Sequence, residues 1–133
     1  MQYKIKDLVN DLQTKNFKSI AKAEGVYKVL NIDNITLNCN NATLMNKYKN
    51  SGYQKVLYIG KAKILSRRIK QYIKQGLGLG NNHRGGIDLF EIVNWQDLYL
   101  ETNQCCDSLK VERGLINNFK NSHNGILPFA NRR

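Results

Sequence analysis

The chain has 133 residues, 41% of them hydrophobic and 23% charged, with a single proline. That length suits one domain, residues 1–133, whose core is large enough to need neither disulfides nor a structural metal. The net charge of +11 and pI near 9.7 point to a polyanionic partner, nucleic acid first and an anionic membrane surface second; a merely solvated lysine excess is the bland alternative. Three cysteines, two of them adjacent (Cys105 and Cys106), show no C-x-x-C spacing, which argues against zinc and a disulfide framework and fits a reducing cytosol. No stretch approaches a membrane span or a leader's apolar region, so a soluble, cytoplasmic protein with no membrane partner is expected.

In chain order, Ile5, Leu8, Val9 and Leu12 recur at helical spacing and predict an amphipathic helix within an extension covering residues 1–22. Val26, Tyr27, Val29, Leu30 and Ile32 form a strand-like run after Gly25. The polar, asparagine-rich stretch from Asn38 to Gly52 reads as a long connection holding one short helix near Leu44 and Met45. Lys55 to Gly60 is a second strand. Lys63 to Gln75 is the clearest helix, with Gly76 as its stop. A glycine-rich loop, Gly76 to Gly86, carries Asn81, Asn82, His83 and Arg84. Ile87 to Val93 is expected as a third strand and Leu98 to Thr102 as a fourth. Asp107 or Ser108 then caps a helix running to about Asn121. The order predicts an α+β domain: a small mixed or antiparallel sheet of three strands, or four with the last, flanked by helices.

Two helices carry polar residues in unexpected places. In the first, Leu65, Ile69, Tyr72 and Ile73 form an apolar stripe, and Lys63, Arg67, Lys70 and Lys74 gather opposite it. Arg68 sits at the stripe's edge, one turn before Tyr72. A guanidinium there needs a partner, either a protein carboxylate or a phosphate. In the last helix, Glu112 falls between Leu109 and Ile116 in the stripe completed by Leu115 and Phe119. A carboxylate facing a core is paired, protonated or bound to a cation, so it either bridges to Arg68 or binds a hard metal ion. The run Gly76, Gly78, Gly80 lacks the endings of phosphate and dinucleotide loops and reads as a flexible segment. His83, in that loop, is a surface histidine or a phosphate-contacting one.

Gly25-Val26-Tyr27 followed by Tyr58-Ile59-Gly60 resembles the paired signature of the GIY-YIG nuclease superfamily. The block from Val56 to Tyr72 is similar to the nuclease domain of bacterial excision-repair enzymes, with Tyr58, Lys61, Arg68 and Tyr72 at the family spacing. Glu112 falls where the family places its metal-binding glutamate, and Asn131 where it places a late asparagine, so the resemblance covers residues 25–131. The longer connection between the tripeptides departs from the compact repair domains. The loop around His83 and the ending Leu127 to Arg132 look more like stand-alone, restriction-type members.

The resemblance implies a metal-dependent DNA endonuclease. Tyr27 would be the general base, its pKa lowered by Lys61 and Arg68, and Tyr58 would orient the water. Arg68 would neutralise charge on the phosphate, with Tyr72 helping to hold it; Glu112 would bind one Mg²⁺, replaceable by Mn²⁺, and Asn131 would support Glu112 or touch phosphate. His83 joins the catalytic candidates, and Lys63, Arg67, Lys70, Lys74 and Arg84 would track the backbone of double-stranded DNA. A palindromic site would favour a homodimer on DNA. Restriction is the first role considered, repair or element mobility the second. A non-catalytic DNA-binding module and a structural protein with incidental charge are the competing classes.

Overall fold

The computed structural model describes residues 1–14, 19–80 and 85–132. The elements are β1 (Gln2–Lys4), α1 (Ile5–Gln13), β2 (Gly25–Leu30), α2 (Ala42–Asn50), β3 (Val56–Ala62), α3 (Leu65–Gly76), two short 3₁₀ turns (Ile87–Glu91 and Trp95–Asp97), β4 (Tyr99–Gln104) and α4 (Ser108–Ser122). The fold is α+β, with one four-stranded antiparallel sheet in the order β1-β4-β2-β3.

β2 is central and buried along nearly its whole length, which is why it reads as an apolar run rather than an alternation. Its register sets Tyr27 opposite Gly60 and Val29 opposite Tyr58, so both tyrosines share one face. On that face α3 buries Leu65, Ile69, Tyr72 and Ile73. The other face carries Val26, Leu30 and Ile59, buried outside the main core cluster. Phe119 of α4, the helix that also contacts β2 and β3, is buried outside that cluster too. No helix of the described residues is long and apolar enough to cross a membrane.

Three expectations need correction. Residues 2–4 form an edge strand rather than part of the N-terminal helix; three residues are too few for a periodicity to show. Ile87 to Val93 is not a strand but 3₁₀ backbone, with Ile92 making one isolated bridge to Cys39. The buried residues there are Leu89, Ile92, Trp95 and Leu98, every third position, which is the 3₁₀ repeat and not the strand's repeat of two. Gly76 is the last residue of α3 but not its cap. The capping glycine is Gly78, with φ +74°, its N–H donating to Gln75 O and the Leu79 N–H to Lys74 O, a Schellman ending. Gly76 stays small because a Cβ there would run into the Phe90 ring.

The free edge of β3 is covered by the C-terminal segment. The Ala130 N–H donates to Leu57 O. The Asn131 side chain spans Ile59, accepting from its N–H and donating to its carbonyl, each at 2.9 Å. Lys47 of α2 donates to the carbonyls of Phe129 and Asn131, anchoring the segment from outside. Asn131→Ala leaves two buried backbone groups unpaired and is expected to lower stability by about 2–4 kcal/mol. Asn131→Asp, which cannot donate to Ile59 O, recovers only part of this. Urea unfolding of both variants measures it, and a wild-type midpoint for Asn131→Ala would show that water replaces the amide.

Candidate active site

Tyr27, Tyr58 and Tyr72 form a compact ring cluster, with centroids 5.7–6.0 Å apart. Neither tripeptide glycine has room for a side chain. A Cβ on Gly60 would lie 2.6 Å from Tyr27 Cζ, and one on Gly25 would strike the Asn103 carbonyl on β4. Gly86, at φ +76°, lies against Tyr58 and Tyr72, where a Cβ would sit 2.7 Å from Tyr58 Cζ. The Tyr72 hydroxyl donates to Gly86 O at 2.8 Å. Tyr72 is fully buried with its hydroxyl so engaged. Contrary to expectation, it holds the loop rather than offering a phosphate ligand.

Arg68 rises from α3 into this cluster. Its guanidinium lies 5.6 Å from the Tyr72 ring centroid and 5.9 Å from that of Tyr27. Nη2 donates to Gly85 O at 3.3 Å, a long bond, and Nη1 is buried with no partner among the described residues. No carboxylate pairs with it among the described residues. The Tyr27 hydroxyl is buried and equally without a partner. Burial pushes Tyr27 well above the ordinary tyrosine value, Tyr58 beside it adds to the rise, and Arg68 pulls the other way without prevailing. Burial likewise raises Tyr58, against Arg68. The expected lowering of Tyr27 by its cationic neighbours therefore does not occur: desolvation of the phenolate outweighs one guanidinium.

Glu112 is half-buried on α4, and its carboxylate has neither an ion pair nor a hydrogen bond among the described residues. The expected alternative, a bridge to Arg68, is not formed. Burial raises its pKa from the ordinary 4.5, against the pull of Lys61 and Arg113. α4 is held in place by Glu24, the residue before the first tripeptide, which accepts from Ser108 N–H at 2.9 Å and Ser108 Oγ at 2.7 Å. These bonds lower the Glu24 pKa and tie the start of α4 to the start of β2. Sequence reasoning passed over Glu24, because an acid 84 residues from the helix start it holds leaves no local pattern.

Two adjoining clefts, sharing Lys61, Arg68 and Leu109, form a groove between α3 and α4. The larger, about 810 Å³, holds Tyr58, Lys61, Arg68, Gly85, Glu112, Arg113, Asn117 and Lys120. The smaller, about 510 Å³, continues past Lys63 and Arg67. Among the predicted residues, Tyr58, Lys61, Arg68 and Glu112 thus converge, Tyr27 stands behind them, and Asn131 is engaged by β3 instead of reaching Glu112. Lys70 and Lys74 line neither cleft, and Lys63 makes a solvent-exposed ion pair with Glu24 at 3.6 Å. His83 and Arg84 lie outside the described residues. Arg113 and Lys120 were missed; their seven-residue spacing around Glu112 was the available signal.

No protein-family model, no curated protein and no solved structure matches the chain.

Because the folded pKa of Glu112 is raised, protonated Glu112 is the better tolerated form: its penalty is absent below the unfolded value and grows as pH rises through the folded one. Glu112→Gln is therefore expected to melt at or above the wild-type temperature at pH 7, with the difference gone by pH 4. Calorimetry at both pH values measures this; a lower melting temperature at pH 7 would mean that the carboxylate is held by a structural partner.

Proposed function

We propose that this chain is a metal-dependent DNA endonuclease of the GIY-YIG type, acting on double-stranded DNA, with restriction as its role and repair or element mobility as the alternative. The observation that carries the reading is that Arg68 and Glu112 line one basic cleft, each without a charged partner among the described residues. A fold that only needed stability would pair or replace such groups. A phosphodiester with its counter-cation satisfies both.

A scissile phosphate in the larger cleft would take the free donors of Arg68, and Lys61 would stabilise charge as it builds on the phosphate. Glu112 fits a hard divalent ion: a single raised carboxylate beside open space suits Mg²⁺ or Mn²⁺, which take most of their ligands from water and phosphate. When bound, that ion would polarise the phosphate and stabilise the leaving 3′ oxygen. Tyr58, at the cleft wall, would orient the attacking water, with the Tyr27 hydroxyl buried behind it. For Tyr27 to act as the base, its own proton must first pass by way of the Tyr58 hydroxyl to solvent in the cleft, and Arg68 is the charge favouring that loss; the water's proton would then reach Tyr27 by the same route.

The raised Tyr27 pKa favours a second reading, a DNA-binding module that does not cut. Supercoiled plasmid with Mg²⁺ or with EDTA separates the two. The enzyme should nick or linearise only with Mg²⁺, lose about 10²–10³-fold of the rate in Arg68→Ala, and lose cleavage but keep duplex binding in Glu112→Gln. Binding without nicking under every divalent ion supports the module. Binding should weaken steeply with salt, and a flat log–log plot would remove DNA as the partner.

A further inference from the structure

Gly114 stands in the middle of α4, where glycine destabilises a helix relative to alanine. Its φ is not positive, and a Cβ built on it meets nothing within 4 Å. That separates it from Gly60, Gly76 and Gly86, each crowded by an aromatic ring. What surrounds Gly114 on the exposed side of α4 is mainly basic or amide in chemistry, with the partly buried Val111 beside it. Lys110 lies one turn before it, and Asn117 and Asn121 follow on the same side, all exposed. Arg113 and Lys120 border this face and line the cleft holding Glu112. Glu112 is the sole acid within α4, and it turns into that cleft; the capping Asp107 stands two turns before Gly114, so beyond the first turn the face carries positive charge and amides.

We propose that this face of α4 lies in the major groove of the duplex flanking the cleaved phosphate, with Gly114 at the point of closest approach. The inference deepens the endonuclease reading and rests on it for what lies in the neighbouring cleft. A bare backbone position lets a partner come closer than any side chain would. Lys110, Arg113 and Lys120 have the chemistry for phosphate, and the Asn117 and Asn121 amides each offer a donor and an acceptor for base edges. An α-helix fits the DNA major groove, about 12 Å wide, whereas the deep, narrow major groove of duplex RNA excludes one.

The test is fluorescence anisotropy with a short labelled DNA duplex in EDTA, alongside thermal melting. Gly114→Leu should raise the melting temperature by about 3 °C and weaken duplex binding by about tenfold or more. Arg113→Ala should lower the log–log salt slope by about one. A stabilised Gly114→Leu that binds DNA like the wild type would overturn the proposal. So would a wild-type dimer by sedimentation that Gly114→Leu dissolves, since the face would then belong to a second copy. If the wild type never nicks plasmid yet its DNA binding still depends on Gly114, the nuclease reading fails and the groove-binding face stands. If nicking is retained and binding is unaffected by Gly114→Leu, the groove-binding face fails and the nuclease reading stands.

Discussion

The pairing of Tyr27 with Gly60 across β2 and β3 is the contact on which the rest depends. The tyrosine ring occupies the space that any side chain at position 60 would fill, so the two strands can adopt this register only with glycine there. Once that ring is in place, Tyr58 and Tyr72 pack around it, and Arg68, one turn before Tyr72, is carried over the cluster. Gly85 and Gly86 close against the same rings for the same steric reason. A one-residue slip of β3 would turn every one of its side chains to the opposite face.

A second tie sets the other wall. Glu24 joins the beginning of α4 to the beginning of β2 through two hydrogen bonds to Ser108. Since Glu24 is three residues before Tyr27, this short span couples the position of Glu112 to that of the tyrosines. The C-terminal segment secures β3 from its open edge through Asn131. Glu24, Ser108 and Asn131 therefore hold the walls of the cleft in place.

Three buried side-chain atoms have no hydrogen-bond partner among the described residues; Gln75 Oε1 lies near the end of α3, and the other two lie at the tyrosine cluster. Among the described residues the Tyr27 hydroxyl and Arg68 Nη1 have no partners, and Glu112 is half-buried and unpaired. Each lowers stability relative to a paired or apolar replacement. Two unmet polar groups beside an unpaired carboxylate are the signature expected of a site organised for a ligand rather than for the fold.

The sequence by itself determined the α+β class, the helices α3 and α4 and the strands β2 and β3, because their apolar repeats are strong and local. It also singled out Arg68 and Glu112, since a charge interrupting an apolar stripe is visible without coordinates. The 3₁₀ segment after Gly86 was misread because a three-residue repeat in a short apolar run is easily taken for a strand. What only the tertiary structure decided was which polar groups meet. Arg68 and Glu112 do not pair, Asn131 turns to the β3 backbone, Tyr72 spends its hydroxyl on Gly86, and burial lifts the Tyr27 pKa instead of letting cations lower it. Each of these outcomes rests on distances and desolvation between residues far apart in the chain, and no local pattern encodes them.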